Sequence, residues 1–264
     1  MTSVKVKTEE GVAVVTLARP EVRNALTGGD LLDALLDAID DAEEDPHVAV
    51  LVLEAEGPAF SAGGNVKDMA ARTGLFSGNP ADLTENYRVS IQQLTRMMAT
   101  TDLVTIASVD GPAIGAGFDL VLGCDLRLGS TRARFAHTFI EMGIIPGDGG
   151  AWLLPRVVGW QRATELALTA RSVSAEEARE IGILLEVVPE NKLEDRVMSL
   201  ARQVADKPRP AVVMAKRLLR QARSMDLDGF LELSAALQAV AHATPEHEEA
   251  VRGYLERLKD REQA

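Results

Sequence analysis

The chain has 264 residues, 46% of them hydrophobic, 26% charged and only 4% aromatic; this is the composition of a globular protein with an aliphatic core. Its 28 basic and 40 acidic side chains leave a formal charge of −12, a surface that repels phosphate backbones and anionic lipid heads and so argues against nucleic acid and membrane partners. A single cysteine, Cys124, excludes an intrachain disulfide and points to a reducing compartment, the cytoplasm.

Met1 to Leu17 alternates polar and apolar residues and has no continuous apolar segment, so neither a signal peptide nor a membrane anchor is expected. Val4–Lys7 and Val12–Leu17 read instead as a β-hairpin turning through Glu9-Glu10-Gly11. Thr27-Gly28-Gly29-Asp30 has the spacing of a helix capping box, and Leu32, Leu35, Leu36 and Ile39 behind it fall on one helical face. Asp33, Asp37, Asp40 and Glu44 lie elsewhere on that helix, as a solvated face would. Val48–Leu53 and Leu103–Val109 are short uninterrupted apolar runs, the pattern of strands covered on both sides. Each is followed by a glycine-bearing loop and then a helical pattern, which argues for crossover units and an α/β architecture. Leu126-Arg127-Leu128 reads as one more short strand. Cys124, just before it in an apolar stretch, reads as a small buried core residue.

From Gly159 onward the pattern is mostly helical. Ser174-Ala175-Glu176-Glu177 reads as a capping box, with Gly182 ending that helix. Pro208 and Pro210 precede a run of helices to Leu258. The expected division is a core over 1–200 and a helical region over 201–264. Of the four histidines, His242 and His247 are five apart, which does not align them on a helix face, so no helical zinc pair and no other metal site is expected.

Two loops concentrate residues with little side chain, Gly57-Pro58-Ala59-Phe60-Ser61-Ala62-Gly63-Gly64-Asn65 and Gly111-Pro112-Ala113-Ile114-Gly115-Ala116-Gly117. Small residues let a ligand approach the backbone and let N–H groups point outward, and at a helix start those N–H groups favour negative charge. Neither loop is a phosphate loop: the first lacks a Gly-Lys-Ser/Thr ending, and the second is only a fragment of a dinucleotide fingerprint. Taken alone, each also reads as a tight turn between strand and helix.

Four segments appear in order: Arg19-Pro20-Glu21-Val22-Arg23-Asn24-Ala25-Leu26, Phe60–Lys67, Gly111–Cys124 with Asp125, and Gly143-Ile144-Ile145-Pro146-Gly147-Asp148-Gly149-Gly150. This series resembles the enoyl-CoA hydratase/isomerase (crotonase) superfamily from the opening hairpin to about Gly182. The resemblance implies a spiral of β-β-α turns with a helical C-terminal region that takes part in assembling trimers or dimers of trimers. It implies an acyl-CoA thioester as substrate, within fatty acid metabolism, with coenzyme A entering as part of that substrate and no separate cofactor. The Gly64 and Ala116 amides would form an oxyanion hole for an enolate-like thioester, a task in which losing one donor costs about 3 kcal/mol in other enzymes. Coenzyme A would pass near Val22, Arg23 and Ala25 and along Ala62, Gly64, Asn65, Val66 and Lys67, with Arg23 and Lys67 as candidates for meeting its phosphates.

In many hydratases of the superfamily two glutamates share one water. The first position falls here on Asp119, one methylene shorter but still an acid or base. The second falls on Phe139, which cannot transfer a proton. Other members of the superfamily place an acid in the loop corresponding to Pro146–Gly150, so the resemblance makes Asp148 the preferred second group; Glu141 reads as a surface carboxylate and His137 as a structural histidine. Asn65 stands where an aspartate is common. Ala70–Thr84 is expected to wall the acyl pocket. Hydration and double-bond isomerisation both remain open, and an acyl-CoA binder that has lost the chemistry is the alternative that Phe139 raises.

Overall fold

The computed structural model describes residues 2–263. The chain opens with β1 (Val4–Glu9) and β2 (Val12–Leu17), paired antiparallel. Glu10 and Gly11 alone make the turn, with φ of 50° and 76°, the doubly left-handed form whose twist matches the flanking strands. Glu9, expected in the turn, ends β1.

Helix α1 (Leu31–Glu44) buries Leu32, Leu35 and Ile39 on the face their spacing selects. The capping box expected at Thr27 does not form. The helix begins after Asp30, and the Thr27 hydroxyl accepts the Asn65 N–H at 2.8 Å instead. A tertiary contact thus takes the oxygen that a local cap would have used.

The chain continues through β3 (Val50–Ala55), α2 (Val66–Ala71), α3 (Pro80–Val89), α4 (Ile91–Thr100), β4 (Val104–Val109), β5 (Pro112–Ile114) and α5 (Ala116–Gly123). Then come β6 (Leu126–Ser130), β7 (Arg134–Ala136), α6 (Gly150–Val158), α7 (Trp160–Thr169), β8 (Val173–Ser174), α8 (Ala175–Glu180), β9 (Glu186–Val188) and α9 (Glu190–Ala205). Three more helices follow, α10 (Arg209–Gln221), α11 (Leu227–His242) and α12 (Pro245–Gln263).

Six strands make one sheet in the order β1-β2-β3-β4-β6-β9, parallel from β2 onward, and β5-β7-β8 make a second. Successive passes place one strand in each sheet before a helix, β4 then β5 then α5, β6 then β7 then α6. This is the expected β-β-α spiral. The middle strands of the larger sheet are buried on both faces. Leu51, Leu53 and Ala107 join the main core with Leu35 and Ile39, whereas Val50, Val52 and Ile106 pack with Leu193, Val197 and Ala201 of α9. Two-sided burial explains why β3 and β4 read as apolar runs without alternation.

The Ser174 hydroxyl caps α8 by accepting the Glu177 N–H at 3.2 Å, and Gly182 follows that helix with φ of 85°. The expected boundary at 200/201 falls inside α9; the chain leaves that helix only at Asp206. Beyond it, α10 and α11 contain no buried residue and α10 docks through polar contacts. Lys216 reaches Asp125 at 2.7 Å and the Leu103 carbonyl at 2.5 Å. Asp125 also accepts the Thr105 N–H at 2.8 Å, so this residue of the third motif joins core to tail. His242 and His247 sit on different helices, the end of α11 and the start of α12, and their rings meet at 3.0 Å across the bend. No group of three metal-binding side chains occurs among the described residues, nor any helix long and apolar enough to cross a membrane.

Cys124 is 2% exposed, and burial pushes its thiol up to about 12. A thiolate is the reactive form. The folded protein should therefore resist a disulfide reagent at pH 8 and release one thiol's colour only in denaturant. Rapid labelling without denaturant would show that the segment between α5 and β6 opens.

Candidate active site

Asn24 holds the first motif to the first loop. It is fully buried with φ of 52°, a left-handed conformation that asparagine tolerates. Its Nδ2 donates to the carbonyls of Glu56 and Ala59 at 2.9 and 3.0 Å, and its Oδ1 accepts the Arg19 N–H at 2.8 Å. Ser61 continues the chain of bonds, donating to the Asn24 carbonyl at 2.7 Å and accepting the Gly63 N–H at 3.1 Å.

The two glycine loops are stitched to each other by main-chain bonds. Ser61 N–H donates to Pro112 O at 3.2 Å, and Ile114 N–H donates to Ser61 O at 2.9 Å. Gly63 has φ of 79°, and a Cβ there would lie 2.4 Å from Ile114 O and 3.0 Å from the Ala116 nitrogen. Only glycine fits this conformation and this spacing. The Gly64 N–H has no acceptor within the chain among the described residues, nor does the Ala116 N–H at the start of α5. Both residues line one pocket.

That pocket has a volume of about 130 Å³ and a mainly apolar lining that includes Met69, Leu75, Phe76, Tyr87, Ile91 and Phe139. Leu75 and Phe76 come from the segment expected to wall it; Tyr87 on α3 lies just beyond. Phe139, where a second glutamate would stand, is a buried wall residue. Asp148 is the only carboxyl lining this pocket among the described residues. It is 7% exposed. Burial, and after it the charge of Asp119, push its carboxyl up to about 7.

Asp119 lies behind the wall. It is outside that pocket and borders a gap of about 10 Å³ shared with Asp148. One carboxylate oxygen meets His137 Nε2 at 2.6 Å, and the other accepts the Gly150 N–H at 3.0 Å. The structure therefore brings Gly64, Ala116 and Asp148 to one cavity and sets Asp119 one layer back. Glu141 is exposed, as read from sequence.

Of the residues expected along coenzyme A, Ala62, Gly64 and Val66 line the pocket. Val22 and Arg23 are exposed and Ala25 is half-buried beside them; Arg23 accepts the Ala62 N–H on its carbonyl at 2.9 Å. Asn65 caps α2, its Oδ1 accepting the Lys67 N–H at 3.0 Å, so the amide serves where an aspartate is common. The exposed side chains of Arg23 and Lys67 make no ion pair among the described residues. What the sequence reading missed is the post made by Asn24 and Ser61, and the His137–Asp119 pair, whose members are 18 positions apart and carry no local signal.

An aspartate that titrates near 4 when unfolded and at about 7 when folded holds its proton more tightly in the native state. That stabilisation is complete below the unfolded value and is lost as pH rises through the folded one. Its size is at most about 4 kcal/mol. Asp148→Asn cannot ionise, so urea denaturation should find the variant increasingly more stable than the wild type from pH 5 to pH 8. A constant difference over that range would mean Asp148 titrates normally.

The enoyl-CoA hydratase/isomerase family model matches residues 7–263. The chain is 34% identical to the 1,2-epoxyphenylacetyl-CoA isomerase of Escherichia coli K12, over 94% of this chain and 93% of that one. It is 30% identical to the crotonyl-CoA hydratase of Syntrophomonas wolfei subsp. wolfei, over 95% and 94% of the two chains. A crystal structure of an enoyl-CoA hydratase from Mycobacterium smegmatis superposes with a TM-score of 0.89 at 30% identity, covering 97% of each chain. These relatives are named as enzymes, and nothing among them favours a binder without chemistry. Motifs, spiral fold and relatives agree along almost the whole length: the chain belongs to the enoyl-CoA hydratase/isomerase family.

Proposed function

We propose that the protein isomerises the double bond of an enoyl-CoA, with Gly64 and Ala116 as oxyanion donors and Asp148 as the single acid and base. The observation that carries this reading is the pocket itself: two unpaired main-chain N–H groups and one carboxyl, with an aromatic ring where a second carboxyl would stand. Coenzyme A enters as the thioester half of the substrate, its phosphates meeting Arg23 and Lys67.

The ionised Asp148 carboxylate takes a proton from Cα of a 3-enoyl thioester. The electron pair spreads over the carbon chain onto the thioester oxygen, where the two N–H groups stabilise it. Asp148, now protonated, returns the proton to Cγ, and the double bond moves from Cβ=Cγ to Cα=Cβ. One group suffices because the proton removed is the proton replaced. A carboxyl titrating at about 7 is well matched to both halves, since neither protonation state is scarce near neutral pH. The apolar lining keeps water away from the dienolate. Hydration is the second reading, favoured by the crotonyl-CoA hydratase relative; it needs a water held beside Asp148 by a neutral partner, and Tyr87 and Thr138 are hydroxyl residues lining the same pocket.

Assembly is part of the same proposal. Trp160, Leu168, Leu219 and Leu227 are 78%, 65%, 74% and 69% exposed, apolar area that association would cover. The family pattern makes a trimer or dimer of trimers the natural closure, with the tail helices taking part. The acidic surface and the lone buried cysteine support a cytoplasmic enzyme that binds neither nucleic acid nor membrane.

Side-by-side assays of 3-enoyl-CoA isomerisation and crotonyl-CoA hydration should show isomerisation dominating. Asp148→Asn should lower its kcat about 10²- to 10⁴-fold with acyl-CoA still bound. Dominant hydration would reverse the order of the two readings, and a fully active Asp148→Asn enzyme would remove the acid–base assignment. Light scattering should return a multiple of the 28.3 kDa chain mass equal to a trimer or hexamer; a monomer at working concentration would refute the assembly.

A further inference from the structure

Behind the pocket wall lies a buried polar unit that the proposed reaction leaves without a task. His137 and Asp119 are 2% and 3% exposed and meet through Nε2 and Oδ1 at 2.6 Å. The other Asp119 oxygen accepts the N–H of Gly150, the first residue of α6 and two positions beyond Asp148. Asp119 borders the small gap beside Asp148 and is not among the residues lining the larger pocket. We propose that His137 is a positioning residue: its Nε2–H locks the Asp119 carboxylate onto the Gly150 amide and thereby fixes the turn from which Asp148 faces the thioester. The inference rests on the reading of Asp148 as the acid and base.

Three features of the packing carry it. A buried carboxylate requires donors on its oxygens, and here Gly150 supplies one and the ring supplies the other, which assigns the ring proton to Nε2. The imidazole has no second polar contact, since Nδ1 is buried without a partner. Phe118 and Phe139 instead fix the ring, edge to face, with centroids at 5.7 and 5.0 Å. Finally, α6 starts directly on the pair: a Cβ at Gly150 would lie 2.1 Å from Asp119 Oδ1 and 2.3 Å from His137 Nε2. From the other side the turn is held by α4, where Gln92 donates to Gly147 O at 2.9 Å and the Thr95 hydroxyl donates to the Asp148 carbonyl. The Gly147–Gly150 segment is thus clamped between α4 and the His137–Asp119 pair. Releasing one jaw frees Asp148 to shift.

The pair also places a negative charge behind Asp148. The titratable groups facing Asp148 are Tyr87 from α3 and Asp119 from α5, with His137 after β7 acting through Asp119; Gln92, Thr95 and Gly150, which hold the turn, are uncharged. Geometry and charge can therefore be separated by mutation.

The test compares His137→Leu, His137→Gln, Asp119→Asn and Asp148→Asn on a thioester that the wild type turns over, reading kcat, KM and the pH dependence of kcat/KM, with circular dichroism to verify folding. His137→Leu should lose about 10- to 100-fold in kcat, the scale of a misplaced catalytic group, with little change in KM. His137→Gln, which still offers Asp119 an N–H, should recover most of that rate. Asp119→Asn keeps an acceptor for Gly150 but removes the charge, so its acidic limb should move to lower pH. A folded His137→Leu enzyme with wild-type kcat and pH profile overturns the positioning role, as do Leu and Gln variants equally impaired. Should the Leu variant not fold, the other two decide: Gln near the wild-type rate with an unmoved limb, beside Asn with a lowered one, supports the role, and any other pattern overturns it. Full activity in Asp148→Asn would instead overturn the acid–base reading on which the inference rests.

Discussion

Two backbone N–H groups can stabilise a developing charge only if the loops that carry them cannot move apart. This constraint organises the protein. Main-chain groups have no rotamer to adjust, so their aim is set entirely by where the loops lie. Here Ser61 bonds to both Pro112 and Ile114, and Gly63 is wedged against Ile114 O and the Ala116 nitrogen. Asn24 and Thr27 tie the same loop to the segment before α1. The larger sheet fixes the strand ends from which both loops leave, β3 and β4 being direct neighbours in it. A core of Val, Leu and Ala packed on both faces of that sheet is thus what finally holds the two amides still.

The second constraint is electrostatic. Burying two carboxyls close together is unfavourable unless one holds its proton or finds donors. Asp119 finds donors, and Asp148 is left with apolar walls and a negative neighbour, which is why its carboxyl rises to about 7. The arrangement lowers stability at neutral pH, since the native state then releases a proton from a site that favours holding it. Under the proposed reaction, the same environment that costs stability gives the group a proton affinity suited to carbon chemistry.

Much of the architecture is legible in the chain because it is written in local patterns. The hairpin, the apolar runs of β3 and β4, the face of α1 and the Ser174 cap all rest on neighbours within a few residues. The failures share one cause. Thr27 looks like a cap because Asp30 follows three residues later, yet the structure spends its hydroxyl on Asn65, far along the chain. His242 and His247 look badly spaced on one helix, but the chain bends between them and their rings meet. The boundary drawn at 200/201 cuts a helix whose inner face packs on the sheet to Ala201. At the site, the loops and both aspartates can be picked from the motifs. The different depths of those aspartates cannot, because depth depends on how α5, α6 and the segment after β7 pack. Nor does any pattern pair His137 with Asp119.

In the proposed reaction, the side chain at position 139 sets which chemistry the two main-chain donors can serve. The enolate and its two donors suit any reaction that starts by polarising an acyl-CoA carbonyl, and relatives at similar identity bear names as different as isomerase and hydratase. Specialisation must then come from the groups facing the acyl chain. A carboxyl at position 139 would add a second acid or base, and with it a means of orienting water across from Asp148. Phe139 offers neither; it packs against His137 and closes the wall. Its ring packs edge to face on the very imidazole that meets Asp119. Under the proposed reaction, the ring at 139 that closes the pocket wall also braces the imidazole behind Asp148, so the wall and the buried pair form a single structural solution.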